Sequence, residues 1–166
     1  VDMLMYQVMY EHSWNIEKDI TVIYEEKGWE KKVRKVSTPF VLLLQLGMKI
    51  PEKKDLQFLL MHMVKNNVAA AAPMIVNEKG RIYAAGTKWS RTHQAYVPKY
   101  KGHRVSEPGE MNELLAATGI PAIVTGCMLV RTEQADENSL KKIRKGQSEG
   151  LLINEPRARV RFSSCK

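Results

Sequence analysis

The chain has 166 residues, of which 26 are Lys or Arg and 18 are Asp or Glu, so its formal net charge is +8 at pH 7. This length supports one domain with a substantial core or two small ones, and a hydrophobic content of 44% excludes an intrinsically disordered chain. The basic excess indicates an anionic partner, such as a nucleic acid, an acidic protein or a membrane surface. The alternative is a soluble protein that is basic for no functional reason.

The cysteines and the apolar runs restrict the environment further. Cys127 and Cys165 have no Cys or His neighbour at metal-ligand spacing, so the sequence predicts neither a zinc site nor a necessary disulfide, which suits a reducing compartment. The longest apolar runs are far shorter than the ~20 residues that span a bilayer. No signal peptide is recognised at the start, and because the chain begins with Val1 we expect a piece of a larger protein.

The first half of the chain has the apolar spacing of helices. Residues 1–10 are apolar and rich in Met, and we expect them to pack against later helices. Apolar side chains at helical spacing predict a second helix over 16–24, and a proline in the first turn predicts a third with its body at 40–48. The clearest helix covers residues 51–66, and we predict that a helical cluster forms around it. Its apolar stripe consists of Leu56, Leu59, Leu60, Met63 and Val64.

Short strands and turns are predicted after the small-residue run 68–73, which we interpret as the end of the helical cluster. A turn at 77–80 separates two strands, and 86–104 has the composition of a loop with one short strand near Tyr96. The other predicted elements are strands at 74–77, 81–85, 122–130, 151–153 and 159–162, and helices at 108–118 and 136–145.

The clearest candidate binding segment is residues 79–104, which contain seven Lys or Arg and no Asp or Glu. Aromatic side chains are interspersed among the cations. Because cations bind phosphates and aromatic rings stack on bases, this combination is typical of single-stranded RNA binding. The alternative is that the aromatic residues anchor a long loop onto the core. The candidate RNA-binding residues here are Lys79, Arg81, Lys88, Trp89, Arg91, Lys99, Lys101 and Arg104.

Two further groups of cations are candidates for anion binding. Lys31, Lys32, Arg34 and Lys35 form either a basic patch that contacts phosphate or an acidic surface, or a solvated linker. Three arginines at alternate positions over 157–161 share one face of a predicted strand. They form a positive ridge or, as we favour, a solvated edge strand protected by charge.

Motifs of self-sufficient enzymes are missing from the sequence. It contains no Walker loop, no GxGxxG and no GxSxG, and its four histidines have no partner at ligand spacing. We therefore predict a binding or scaffold module that is not catalytic alone and that needs no cofactor or metal. The alternative is a small enzyme whose partner residues are not recognisable in one sequence.

Several short stretches, in order, resemble a known family. Residues 34–48 (RKVSTPFVLLLQLGM) are similar to a basic turn that leads into a helix, and 55–73 are similar to a central helix with an Ala-Pro corner. Residues 126–133 (GCMLVRTE) and 139–153 are similar to the strand and helix of a small terminal domain. Together they resemble the C-terminal region of polymerase basic protein 2 from orthomyxoviruses, the influenza-like viruses, with the thogotoviruses as the nearest guess.

The resemblance implies an α+β fold with an N-terminal helical cluster, a strand-rich wrapping segment after Pro73 and a small α/β C-terminal domain. It places a helical host-adaptation-like domain at 1–120 and a domain resembling the nuclear-localisation domain at 121–166. It also implies host-factor contacts at Met74 and Ile75, together with Arg34 and Lys35.

The implied function is that of a noncatalytic module of a cap-snatching viral RNA-dependent RNA polymerase, active in transcription and genome replication. The implied partners are RNA, the other polymerase subunits, importin-α and an acidic nuclear protein of the host. The implied locations are the host nucleus and the virion. The competing hypothesis is an unrelated basic RNA-binding or ribosome-associated domain. A single interleaved sheet built from both halves of the chain would refute the polymerase hypothesis.

Overall fold

The computed structural model describes residues 16–162, and the predicted apolar segment 1–10 and Cys165 lie outside this range. The helices are α1 (Ile16–Asp19), α2 (Trp29–Arg34), α3 (Lys53–Met63) and α4 (Glu137–Lys145). The strands are β1 (Ile20–Tyr24), β2 (Phe40–Leu44), β3 (Val68–Val76), β4 (Ile82–Ala84), β5 (Thr87–Ser90), β6 (Ala95–Pro98), β7 (Thr118–Ile120), β8 (Cys127–Arg131) and β9 (Leu151–Arg161). Short 3-10 turns cover Glu110–Asn112 and Thr132–Gln134. Within 16–162, every helix is too short or too polar to cross a membrane.

A mixed seven-stranded sheet forms the centre of the molecule, with the strand order β1-β2-β8-β3-β9-β7 and with β4 paired to β3. β1 lies parallel to β2, and β3 lies parallel to β9. β8 runs antiparallel between β2 and β3, and β7 runs antiparallel to β9. The hairpin β5–β6 is a separate two-stranded sheet.

Helices cover both faces of the central sheet. Leu42 and Leu44 of β2 belong to the same hydrophobic cluster as Leu59 of α3. Val41 and Leu43 point the other way, into a cluster that contains buried residues of α2 and α4. Because successive side chains of a strand alternate between faces, a strand buried on both faces is apolar at every position, as β2 is. The result is three layers, with α3 on one face and α2 and α4 on the other.

The predicted N-terminal helical cluster is wrong, because the structure is mostly sheet, with 37% strand against 23% helix. The predicted helix at 16–24 contains only the short α1, and its β-branched second part forms β1. The predicted helix at 40–48 contains β2 instead. A short continuous apolar run has no period of its own, so a buried strand and a buried helix cannot be told apart by its pattern.

The predicted helix at 51–66 is confirmed as α3, although it covers one face of a sheet and is not the centre of a helical cluster. Leu56, Leu59, Leu60 and Met63 of the predicted stripe are buried, and Val64 is the C-cap. The helix begins with a capping box, in which Glu52 and Asp55 exchange side chain-to-backbone hydrogen bonds.

The small-residue run at 68–73 is not the end of a helical cluster but the first part of β3, in the middle of the sheet. Alanine favours helices in isolation, and here pairing with β8 and β9 on the two sides overrides that preference. Pro73 cannot donate a hydrogen bond, and it lies where the register between β3 and β9 shifts. The strand therefore accommodates the proline at an irregularity of its ladder.

Strands from the two predicted domains alternate in the same sheet. β8, from the predicted domain 121–166, lies between β2 and β3 of the predicted domain 1–120. β9, also from the second segment, pairs with β3 over most of its length. This is the single interleaved sheet that was expected to refute the polymerase hypothesis, and the fold that the resemblance implied is not the observed one.

The connection between β3 and β8 contains one confirmed turn and one wrong helix. At the predicted turn 77–80, the Asn77 side chain accepts hydrogen bonds from the Lys79 and Arg81 backbone N–H groups at 2.9 and 3.0 Å. At the predicted helix 108–118, Met111 and Asn112 have φ of 48° and 61°, in the left-handed region, so no regular helix forms.

The elements at the end of the chain are predicted more closely. The predicted strand 122–130 overlaps β8, and the predicted helix 136–145 is α4. The predicted strands at 151–153 and 159–162 belong to one long strand, β9, whose register against β3 shifts between the two parts. Glu155, which is fully buried, pairs with Pro73 directly before this shift, and residues 156–158 are the extra ones.

Candidate nucleic-acid interface

The hairpin β5–β6 carries the most exposed aromatic side chain of the basic segment. Trp89 of β5 lies opposite Tyr96 of β6, and their rings meet edge to face with centroids 5.1 Å apart. Trp89 remains 52% exposed, although a Trp side chain offers a large apolar area to bury. The hairpin turn is closed by Ser90 and His93, whose side chains hydrogen-bond at 3.0 Å.

The hairpin is attached to the end of α4 through Tyr96 and Gly146. Gly146 is the C-cap of α4 and has a left-handed backbone. A Cβ atom at this position would lie 2.5 Å from the nearest ring carbon of Tyr96, so the close approach requires a glycine. Tyr96 therefore contacts the helix end on one side and Trp89 on the other.

α4 presents two lysines toward solvent near this contact. Asp136 caps the helix by accepting from the Ser139 backbone N–H at 2.8 Å, while Leu140 and Ile143 are buried against the sheet. Lys141 and Lys145 are one helical turn apart and exposed. Among the described residues, neither lysine has a hydrogen bond or an ion pair.

We define the hairpin–α4 surface as Trp89, Arg91, Lys141 and Lys145. Arg91 is exposed at the hairpin turn, and its side chain has no polar partner in residues 16–162. A neighbouring cation, Arg144, is different, because it donates to both carboxylate oxygens of Glu25 at 2.6 and 2.8 Å. The surface therefore combines an exposed indole with three cations that form no ion pair with any described residue.

Lys88 and Lys99 lie on a different surface from Trp89. Since neighbouring side chains of a strand point to opposite faces, Lys88 points away from Trp89, and with Lys99 it lines a shallow pocket of about 480 Å³. Lys99 donates to both oxygens of Glu113 at 3.0 and 3.1 Å. Burial alone would lower the pKa of Lys99, but the bond and charge of Glu113 raise it above its usual value. Its charge is already paired.

The other candidate residues of the segment 79–104 are exposed but dispersed. Arg81 and Arg104 face each other across an isolated β-bridge, and Lys79 lies in the turn before them. Lys101 places its ammonium group 5.3 Å from the centre of the Tyr83 ring. None of these cations belongs to the hairpin–α4 surface.

The aromatic residues of the segment 79–104 fall into two groups, those that anchor the segment to the core and those that are available for stacking. Tyr100 is buried in a small cluster with Met74 and Ile82, and it accepts a hydrogen bond from the Glu110 backbone N–H at 2.7 Å. Tyr83 packs on Phe162 with ring centroids 5.1 Å apart. These two tyrosines anchor the segment to the core, and Trp89 is left as the residue that is open to a ligand.

The basic group at 31–35 is part of a helix and not a linker. Lys31, Lys32 and Arg34 are exposed on α2, and Lys35 is its C-cap. Lys32 forms an ion pair with Glu26 at 2.7 Å, between side chains that are both substantially exposed. Glu30 of α2 accepts a hydrogen bond from the first residue of α4, so both helices lie side by side on one face of the sheet.

The predicted host-factor contacts at Met74 and Ile75 are contradicted by their burial. Both side chains belong to β3 and have 0% exposure, so no partner can reach them while the sheet is intact. Arg34 and Lys35, the other two residues of that prediction, are exposed.

The sequence interpretation missed the two lysines of α4. Their basic helix is visible in the sequence, but its position beside the hairpin depends on the Tyr96–Gly146 contact, for which the sequence has no local signal.

A buried polar cluster was also missed. Glu155 accepts from His62 at 2.9 Å and from the Arg157 guanidinium at 2.7 Å, and the guanidinium lies 4.7 Å from the Phe58 ring centre. Residues that are distant in sequence form this cluster, so its composition cannot be recognised from spacing.

Within residues 16–162, no group of three or more His, Cys, Asp or Glu side chains is arranged to hold a metal ion. No protein-family model matches the chain, and no curated protein sequence matches it.

Proposed function

We propose that this domain binds single-stranded RNA through the hairpin–α4 surface. The observation that carries the proposal is the exposed Trp89 ring, which contacts Tyr96 on a hairpin that packs against the end of α4. Exposed cations lie on the turn of this hairpin and on α4. An aromatic face of this kind stacks on an unpaired base, and the cations attract the backbone phosphates. This combination favours a single strand over a duplex, because the bases of a duplex are already stacked and paired.

The arrangement also accounts for the rigidity that stacking requires. Tyr96 is wedged between Trp89 and Gly146, so the indole is supported from behind by a folded element. A supported ring loses little conformational freedom on binding, which leaves more of the stacking free energy for affinity.

RNA binding is one part of the function that the orthomyxovirus resemblance implied. Membership of a viral polymerase, with importin-α and an acidic nuclear protein as partners, rests on that resemblance alone, and the interleaved sheet is the topology that was expected to refute it. The proposal made here needs none of those partners, and it equally fits an unrelated basic RNA-binding domain.

The test is fluorescence anisotropy with a labelled oligouridine of about 12 nucleotides, a length within the range that one binding domain covers. W89A is expected to weaken binding by about 5- to 150-fold, which corresponds to ~1–3 kcal/mol for one lost stacking interaction. K141A/K145A is expected to weaken binding and to reduce the slope of log affinity against log salt by about 1.4, since each phosphate contact contributes ~0.7 for a single strand.

A charge-matched control is K53A/K65A, at the two ends of α3. These lysines are exposed on the opposite side of the sheet from α4, so their removal changes the net charge equally without touching the proposed surface. A duplex of the same length is expected to bind more weakly than the single strand. The proposal is wrong if W89A binds like the wild type, or if the control loses as much affinity as K141A/K145A.

A further inference from the structure

A second basic site lies between the first turn of α3 and the end of β9. Arg157, whose guanidinium group is bonded to Glu155, lines a cleft of about 850 Å³ there. The cleft is also lined by the cations Lys54, Arg159 and Arg161 and by apolar side chains that include Phe58, Val76 and Val105. We call these six residues the β9 cleft. Its volume is in the range of pockets that hold small molecules, about 300–1,000 Å³.

The two exposed arginines of the cleft are not needed to protect a strand edge, which is the interpretation that the sequence favoured. The outward backbone groups of this part of β9 already have partners. Arg159 donates its backbone N–H to Asp55 at 3.1 Å, and the Arg161 carbonyl accepts from the Lys49 N–H at 3.0 Å. The edge of β9 is therefore covered by α3 and by the segment after β2. The positive charges of the two arginines are not required to protect it.

Carboxylates also line the cleft, and two of them are engaged in the structure of the protein itself. Glu52 and Asp55 form the capping box of α3, and Asp55 is in addition bonded to the Arg159 backbone. Glu78 is the third. The side chains of Lys54, Arg159 and Arg161, by contrast, form no hydrogen bond or ion pair with any described residue. The available charge in the cleft is positive.

The spacing of the two arginines suits one phosphate group. Arg159 and Arg161 are exposed on either side of the buried Val160, so they share a face, with Cα atoms about 7 Å apart in an extended strand. The planar guanidinium group donates two parallel hydrogen bonds to phosphate oxygens, and Lys54 adds a point charge. The apolar side chains beside them offer a surface for the organic part of the ligand.

We propose that the β9 cleft binds a phosphate monoester, with the phosphate on Arg159 and Arg161 and the organic group against Phe58, Val76 and Val105. This site shares no residue with the hairpin–α4 surface and does not depend on RNA binding there.

Isothermal titration calorimetry of the whole chain tests the proposal with AMP, ribose 5-phosphate, adenosine and inorganic phosphate as probes. At least one monoester is expected to bind with a Kd of about 1 mM or lower, more tightly than inorganic phosphate, and adenosine is expected not to bind. R159Q/R161Q is expected to weaken the binding of that monoester by about tenfold or more, because hydrogen bonds to charged groups contribute ~1.5–3 kcal/mol. R34Q/K35Q, on α2, is the charge-matched control, because it removes the same charge from exposed positions outside the cleft.

The proposal is overturned if neither monoester binds, or if R159Q/R161Q leaves the affinity unchanged. It is also overturned if R34Q/K35Q lowers the affinity as much, or if adenosine binds as tightly as AMP. Equal affinity for inorganic phosphate and for both monoesters would show that the apolar side chains do not select an organic group, which contradicts the assignment. Since Arg159 and Arg161 are exposed, circular dichroism is expected to show an unchanged fold for the double variant.

Discussion

Replacing Glu155 with Gln is expected to destabilise the fold by about 2 kcal/mol at neutral pH. The Glu155 carboxylate has 0% side-chain exposure and accepts hydrogen bonds from His62 and from Arg157, which donates from its backbone N–H, Nε and Nη2. Breaking a buried ion pair by removing one partner costs about 3–5 kcal/mol. The expected cost is lower here, because the Arg157 side chain is 35% exposed and regains water, and because Gln keeps one acceptor oxygen.

The same replacement is expected to change the pH dependence of stability. Burial alone would raise the pKa of Glu155, but the hydrogen bonds from His62 and Arg157 bring it below its usual value of 4.5. A carboxyl whose pKa is lower in the folded state stabilises the protein above the pKa of the unfolded chain. That contribution disappears as the pH falls through the folded pKa. The difference between wild type and E155Q should therefore shrink from about pH 4.5 downward.

Urea unfolding followed by circular dichroism measures both effects. With a slope of ~1–3 kcal/mol per molar urea, a loss of 2 kcal/mol lowers the midpoint by about 1 M. E149Q is the control, since Glu149 is exposed and has no polar contact with another described residue, and its midpoint is expected to match the wild type. Two results would refute the reasoning: equal midpoints for E155Q and wild type near neutral pH, or a difference that persists unchanged in acid.

Two further predictions concern Gly146 and Cys127. G146A is expected to lower stability by more than G28A and also to weaken RNA binding. Both glycines have a positive φ, but only a Cβ at Gly146 meets the Tyr96 ring, whereas the space around Gly28 is open. Equal losses of stability in urea unfolding, together with unchanged RNA binding in the anisotropy assay, would contradict this prediction. In a C165S background, the Cys127 thiol is expected to react with a thiol reagent only at the rate of unfolding, since burial and the nearby Asp55 charge raise its pKa; rapid labelling of the native protein would count against it.

Elements with a strong local signal could be predicted from the sequence. The helix α3 has a periodic stripe and charged first-turn residues, and α4 has an Asp cap and a terminal glycine, so both were found close to their observed bounds. The Asn77 turn likewise depends on a side chain that bonds its own backbone. In these cases the residues that determine the structure are neighbours in the chain.

The sheet could not be predicted in the same way, because its central strands are determined by distant partners. The alanines of β3 form a strand only because β8 and β9 pair with it on its two sides, and β2 is apolar at every position because both of its faces are covered. The helical cluster was predicted incorrectly because the local pattern of these apolar runs does not distinguish a buried strand from a helix. For the candidate site, the sequence identified Trp89 and Arg91, but it could not show that the end of α4 at Gly146 meets the hairpin or that Lys99 is neutralised by Glu113.

The position of β8 between β2 and β3 has a consequence for how the chain folds. Phe40 pairs with Arg131, and Val68 pairs with Leu151, so the central sheet closes only after contacts between residues that are far apart in the chain. Folding dominated by such contacts is slow, because the entropy of closing long loops is lost before the pairing compensates for it. During synthesis, β2 and β3 therefore expose apolar, unpaired edges until β8 and β9 have left the ribosome. These edges are the segments most exposed to aggregation or to chaperone binding in the nascent protein.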